Sequence, residues 1–390
     1  MHFQGRKKAL VLAVGLLFAG GARAGAEIKL GDDASINVGF GIRASYTSAE
    51  MGAPDGVSDS HDFAVENARL FFSGTYNKVF KATFNTERTG GPVSSGGDTV
   101  RVMDAIAQYE PMPEFNIWIG RMLPPSDRAN LYGPFYALPW SFPGTVSNYP
   151  NLAVGRDNGA LVWGKPFNGK LVYSVGTFEG HNKAAGLSGQ SDKIAYNARL
   201  AFNVWDPEPA PAYYTGGWYG GSADILTFGV ATNQQKDGVG TAAAPGKLNI
   251  VSFDALFEKK FSIGVPTIEA AYYKYKLGAL DCNSGEPGAP VCAAGDNVGG
   301  QVDGKAVMLV GGFLFPQKVG PGQFQPFFRW QKYERTVSAT EAKTTDIGVN
   351  YLIKGPNAKI SLVYSKLEDS RNAAPRDDLS QIVAGFQYIY

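Results

Sequence analysis

The chain is poor in the residues on which most soluble chemistry depends. Among 390 residues there are three histidines and two cysteines. No His, Cys, Asp or Glu cluster has metal-ligand spacing, so no metal is expected. No C-x-x-C-H occurs, so this chain carries no covalently attached haem. Gly39-Phe40-Gly41 mimics part of a nucleotide fingerprint, but it lies in an alternating segment with no helix behind it and is discounted. Basic residues (36) barely exceed acidic ones (35), and the first 24 residues hold four of the basic and none of the acidic. The remainder is near neutral, at −3, which argues against nucleic acid as a partner. Beyond those 24 residues there is no run of roughly 18 apolar residues, which excludes a helical membrane protein.

What is present is glycine (49), tyrosine (19) and phenylalanine (24), with charge held to 18%. That balance suits strands and turns. Arg6, Lys7 and Lys8 precede an apolar run from Ala9 to about Ala19, followed by Ala22-Arg23-Ala24 or Ala24-Gly25-Ala26. This reads as a secretory signal peptide over 1–24, with cleavage after 24 or after 26. At the other end Ile382, Ala384, Phe386, Tyr388 and Tyr390 fall on every second residue. A strand puts all five on one face. Alternating aromatics ending in Tyr390 resemble the recognition signal of bacterial outer-membrane β-barrels. That resemblance implies an outer-membrane location, with lipid against the outer face.

The rest of the chain has the same rhythm. Phe40, Ile42, Ala44 and Tyr46 alternate with Gly41, Arg43 and Ser45, and Phe324, Pro326, Phe328 and Trp330 with Gln325, Arg329 and Gln331. About sixteen such segments are predicted, near 34–48, 62–76, 78–89, 100–110, 114–122, 156–166, 168–178, 192–205, 222–234, 247–260, 265–278, 301–315, 322–335, 342–353, 358–368 and 378–390. Connections alternate between short turns and mostly long, Gly/Ser/Pro/Asp-rich loops around 49–61, 90–99, 123–155, 179–191, 235–246, 279–300 and 369–377. Asp206 to Gly221 falls where a short turn is due and is too long for one. Aromatics beside the short turns, among them Trp163 and Trp218, suggest an interfacial belt. The expected fold is all-β: one transmembrane antiparallel barrel over 25–390, with a long third extracellular loop folded into its lumen.

A barrel of about 16 strands leaves an aqueous interior, and passive diffusion of small hydrophilic solutes is the function that follows. Asp104-Ala-Ile-Ala-Gln-Tyr109 and Phe115-Asn-Ile-Trp-Ile-Gly-Arg-Met-Leu-Pro-Pro125, with Asn197 to Phe202 and Pro326-Phe-Phe-Arg329, resemble the phosphate-selective porin O/P family. The resemblance implies a sixteen-stranded trimeric porin and anionic solutes. Parity puts Arg43, Arg69, Lys81, Arg199, Arg329 and Lys359 on the lumen side. It puts Glu87, Asp104, Asp254, Glu269 and Asp346 there too. Rings of one sign select ions; these signs nearly balance, so the arginines either bias the pore toward anions or pair with carboxylates and stiffen the wall.

The loop 123–155 carries Tyr132, Phe135, Tyr136, Trp140, Phe142 and Tyr149, with Asp127 and Arg128 its only charges. So long and aromatic a loop is expected to fold and to narrow the pore around Asp127, Arg128, Tyr132, Tyr136 and Trp140. The alternative is a rim cap or a subunit contact. Cys282 and Cys292 share one loop of an exported chain, so a disulfide is expected. His61 and His181 could meet above the mouth beside Asp62 or Glu179, but solvated loop histidines are the simpler reading and no enzyme activity is expected. The competing function is a sheath around a partner such as an electron-transfer cytochrome. Haem absorbance on co-purification would favour the sheath, and conductance of the protein alone the pore.

Overall fold

The computed structural model describes residues 25–89, 99–147, 155–180, 193–240, 245–277, 303–372, 375 and 377–390. Period-two alternation favours extended backbone, and the strands follow it. In chain order they are β1 (Ala26–Lys29), β2 (Ala34–Ala49), β3 (Ser60–Tyr76), β4 (Phe80–Thr89), β5 (Thr99–Met112) and β6 (Phe115–Met122). After the short helix α1 (Arg128–Tyr132) come β7 (Asp157–Gly164), β8 (Leu171–Phe178), β9 (Ala195–Asn203), β10 (Ile225–Gly240), β11 (Pro245–Glu258) and β12 (Val265–Lys276). The last are β13 (Gly304–Leu314), β14 (Lys318–Val319), β15 (Gly322–Arg335), β16 (Glu341–Leu352), β17 (Ala358–Asp369) and β18 (Asp378–Ile389).

Sixteen of these strands pair antiparallel with their neighbours, and β18 returns to pair with β2 through Ile389↔Gly41 to Gln381↔Ala49, closing the barrel. Closure leaves no free edge, which a lipid surround requires. The other two strands are additions: β1 pairs with Ser35 to Val38 of β2, just past the end of β18, and β14 folds back on β15. The register fixes two faces. Phe228, Phe253, Ile268, Leu309, Phe328, Ile347, Leu362 and Phe386 are exposed on the outside, while Thr227, Asp254, Glu269, Arg329, Asp346 and Gln387 are buried inside. An apolar exterior around a polar interior is the pattern of a membrane barrel and the inverse of a soluble one.

Two sequence expectations change. The connection expected at 235–246 is mostly strand: β10 runs on to Gly240, and Lys236-Asp237-Gly238 forms a bulge between the pairs Gln235↔Leu248 and Val239↔Gly246. Asp237 takes a φ of 56° there, so the Asp-Gly pair bends the strand instead of ending it. Trp163 and Trp218 are also no part of an interfacial belt, because both are buried inside the ring. Tyr109, Phe115, Phe315, Phe324, Tyr388 and Tyr390 do stand on the outside near the short-turn end. Residues 1–24 and the Cys282/Cys292 loop lie outside the described residues.

Candidate channel constriction

β6 stops at Met122 because Pro124 and Pro125 cannot donate to a sheet ladder. The chain then turns into the ring. Asp127 caps α1, accepting from the Asn130 backbone N–H at 3.3 Å, the Ser147 hydroxyl at 2.9 Å and the Tyr273 hydroxyl at 3.2 Å. Burial pushes its carboxyl above the ordinary range, and the Ser147 hydrogen bond opposes that. Arg128 beside it is fully buried. Its Nε donates to Asp254 Oδ1 at 3.2 Å, and Asp254 also holds Arg199 at 2.5 and 2.8 Å.

Beyond the helix the segment runs through turns and bends with few backbone partners of its own, so its carbonyls need donors from elsewhere. The wall supplies them. Gln387 Nε2 donates to the Phe135 carbonyl at 2.9 Å, Lys359 Nζ to Ala137 at 3.0 Å and Asn350 Nδ2 to Leu138 at 2.9 Å. Arg43 donates to the Trp140 carbonyl, Arg329 Nη1 to Ser141 at 2.6 Å and the Tyr275 hydroxyl to Val146 at 2.6 Å. Two glycines let the loop lie flat. A Cβ on Gly41 would stand 3.0 Å from the Phe135 ring, and one on Gly385 2.7 Å from the Trp140 ring. The Arg43 guanidinium sits 3.9 Å from the centroid of Trp140.

These contacts separate the lumen-side residues into two groups. Arg43, Arg199, Glu269, Arg329, Asp346 and Lys359 face inward but are sealed under the loop, with Arg329 1% and Asp346 0% exposed. All but Glu269 hold the loop or another buried charge, as in Arg329–Asp346 at 2.6 Å, and none is open to solvent. Glu269 has no hydrogen-bond partner among the described residues. All inward positions of β9 and β12 are likewise buried.

Across the ring the wall is open. On β3 and β4 the inward Asn67, Ser73, Thr75, Lys81, Thr83 and Asn85 are half-exposed. The charges of this wall are paired: Lys81 with Glu110 is part-exposed, while Arg69 with Glu87 at 2.5 Å and Arg156 with Asp104 at 3.1 Å are buried. On the loop side, Tyr136 is 36% exposed while Tyr132 is buried.

Sequence reading missed a second internal element. Between Asp206 and Asp224, at the short-turn end, the chain turns back into the ring, where Tyr213, Thr215, Gly216, Gly217 and Trp218 are buried. Its excessive length was the visible signal, together with an aromatic and glycine content unsuited to a solvated turn.

No protein-family model matches the sequence, and no curated protein matches it. Solved structures match in shape. The anion-selective porin from Comamonas acidovorans aligns with a TM-score of 0.60 at 12% identity, covering 92% of this chain and 100% of that one. OmpF of Salmonella typhi, in complex with daunomycin, gives 0.62 at 13%, covering 93% and 100%. The outer-membrane channel DcaP of Acinetobacter baumannii gives 0.57 at 13%, covering 94% and 100%. The fold is that of the outer-membrane porins. Identity this low carries architecture alone, so residue roles in this porin barrel rest on its own geometry.

Proposed function

We propose that the protein is a passive diffusion channel of the bacterial outer membrane for small hydrophilic solutes, with weak ion selectivity. The observation that carries this reading is the half-exposed polar inner wall of β3 and β4 inside a closed, externally apolar barrel whose inner wall is packed on β9 and β12. Single-sign rings select ions. Here Arg69, Arg156 and Lys81 each have a carboxylate partner, so the local field is largely cancelled. That favours a weak anion or cation preference over the phosphate selectivity of the family that Asp104 to Pro125 resembles. In this reading residues 1–24 direct export, the long loops face outward, the loop after β6 is the constriction and the barrel assembles as a trimer. A sheath around a cytochrome has less support, because the chain's own segments occupy the interior that the partner would need.

The test is single-channel recording of the refolded protein in a planar bilayer under a KCl gradient. Stepwise conductance with a reversal potential near zero is expected. A folded barrel that never conducts would overturn the reading, and a strongly displaced reversal potential would overturn the weak selectivity.

A further inference from the structure

The connection between β9 and β10 does not need its length. Asn203 pairs with Thr227 across the hairpin, so a turn of a few residues would close this end. Instead the hairpin runs on only to Asp206 and Asp224, and between them the chain turns back into the ring, burying Ala210, Tyr213 and Thr215 to Trp218. Trp118 and Trp163, inward on β6 and β7, meet edge to face at 5.7 Å and form a platform on which Tyr213 rests, its centroid 5.4 Å from Trp118. The Tyr213 hydroxyl donates to the Leu123 carbonyl at 2.6 Å and the Thr215 hydroxyl to the Arg128 carbonyl at 2.9 Å. Gly217 N–H donates to the Tyr136 carbonyl at 3.1 Å. Glu208 takes both terminal nitrogens of Arg128, at 2.6 and 2.8 Å, and the Tyr219 hydroxyl at 2.5 Å. At the far end Glu258 of β11 receives the backbone N–H groups of Tyr219 and Gly221, at 2.9 and 2.7 Å.

We propose that residues 206–221 are a second constriction element, entering from the periplasmic end, and that it sets the size limit of the passage jointly with the loop after β6. The two elements form one internal body locked at Arg128–Glu208. It packs against the wall from β6 round through β15 to β18 and β2, and leaves solute the strip along β3 and β4. Tyr214 packs against Trp118 at 5.9 Å and stands within the electrostatic reach of Asp104 and Arg156. The passage is thus edged by the half-exposed polar side chains of β3 and β4, Lys81 among them, and by the phenol rings of Tyr136 and Tyr214 on the internal body.

This inference rests on the channel reading, and the experiment separates the two. Residues 206–221 are replaced by Asn-Gly, Tyr214→Ala is made in the full chain, and both are compared with the parent. The readouts are single-channel conductance in KCl and the polyethylene glycol size that no longer blocks it, with heat-modifiable gel mobility reporting a folded barrel. The replacement is expected to raise conductance roughly two-fold or more and to admit larger polymer, because the narrowest section limits permeation. Tyr214→Ala is expected to shift both in the same direction by less. A folded replacement variant with unchanged conductance and cut-off overturns the proposal. If the replacement does not fold, unchanged values in Tyr214→Ala overturn it. A silent parent with a conducting replacement sustains the inference while refuting an open parent channel. If neither conducts, both readings fall.

Discussion

Arg128→Met tests the lock between the two internal segments. The substitution keeps most of the volume and removes the guanidinium. Asp254 tolerates this, because Arg199 still donates to it at 2.5 and 2.8 Å. Glu208 does not: among its described contacts the Tyr219 hydroxyl is all that stays. Leaving one member of a buried ion pair unmatched costs about 3–5 kcal/mol. The strand ladder is untouched, so the loss falls on docking of the internal body and not on the barrel. At about 1.4 kcal/mol per factor of ten, backbone amides within 206–221 should exchange hydrogen roughly 100- to several-thousand-fold faster, while amides of β11 and β12 hold their rates. The assay is hydrogen exchange with mass spectrometry on protein in liposomes. Adding Glu208→Gln removes the stranded charge and should recover about five-fold or more of the protection, since a neutral hydrogen bond is worth about 1 kcal/mol. Unchanged exchange in Arg128→Met, or strictly additive effects in the double variant, would refute the reasoning.

Three further outcomes follow from the same geometry. Gly385→Val would drive a side chain into the Trp140 ring, 2.7 Å from the new Cβ, and overpacking of this kind costs about 1–3 kcal/mol; the loop should lift and conductance rise, whereas wild-type conductance would mean that Trp140 does not help hold the constriction. Burial works against the Glu208 carboxylate, but Arg128 and the Tyr219 hydroxyl outweigh it and leave its pKa below the ordinary 4.5. Stabilisation from a depressed carboxyl is present above the unfolded value and is lost as pH falls through the folded one. Exchange of 206–221, corrected for intrinsic rate, should therefore be flat down to that ordinary value and rise only below it; a rise between neutral pH and that value would contradict this. Finally, a non-reduced digest should show Cys282 linked to Cys292, a link that on chain-entropy grounds stabilises by about 3 kcal/mol; two free thiols would exclude it.

The barrel was legible because strand geometry imposes a period of two on every lipid-facing segment. Phe253, Ile268, Leu309 and Ile347 announce their face whatever lies behind them. The same period placed Arg43, Arg199, Arg329 and Asp346 inside. It could not say what they meet there, because parity fixes a side and not a partner. Arg43 and Arg329 read as pore charges, yet each donates to a loop carbonyl more than ninety residues away in sequence. A wall donor for the bare carbonyl of an irregular internal segment has no sequence signature of its own.

The segment 204–224 shows the same limit from the other direction. Its length broke the turn pattern, but an interfacial belt absorbed Trp163 and Trp218, since a tryptophan beside a short turn suits either the lipid boundary or an internal seat. Register decides between them. Trp163 shares its face with Leu161 and Asp157, both buried inside, and pairs across to Asn116, buried on the same side of β6. A belt residue must share the face of the apolar exterior; one that shares the face of buried Asp157 needs a partner within the ring. Tyr213 is that partner, 6.4 Å from Trp163, and it can be supplied only by a connection long enough to turn back into the barrel.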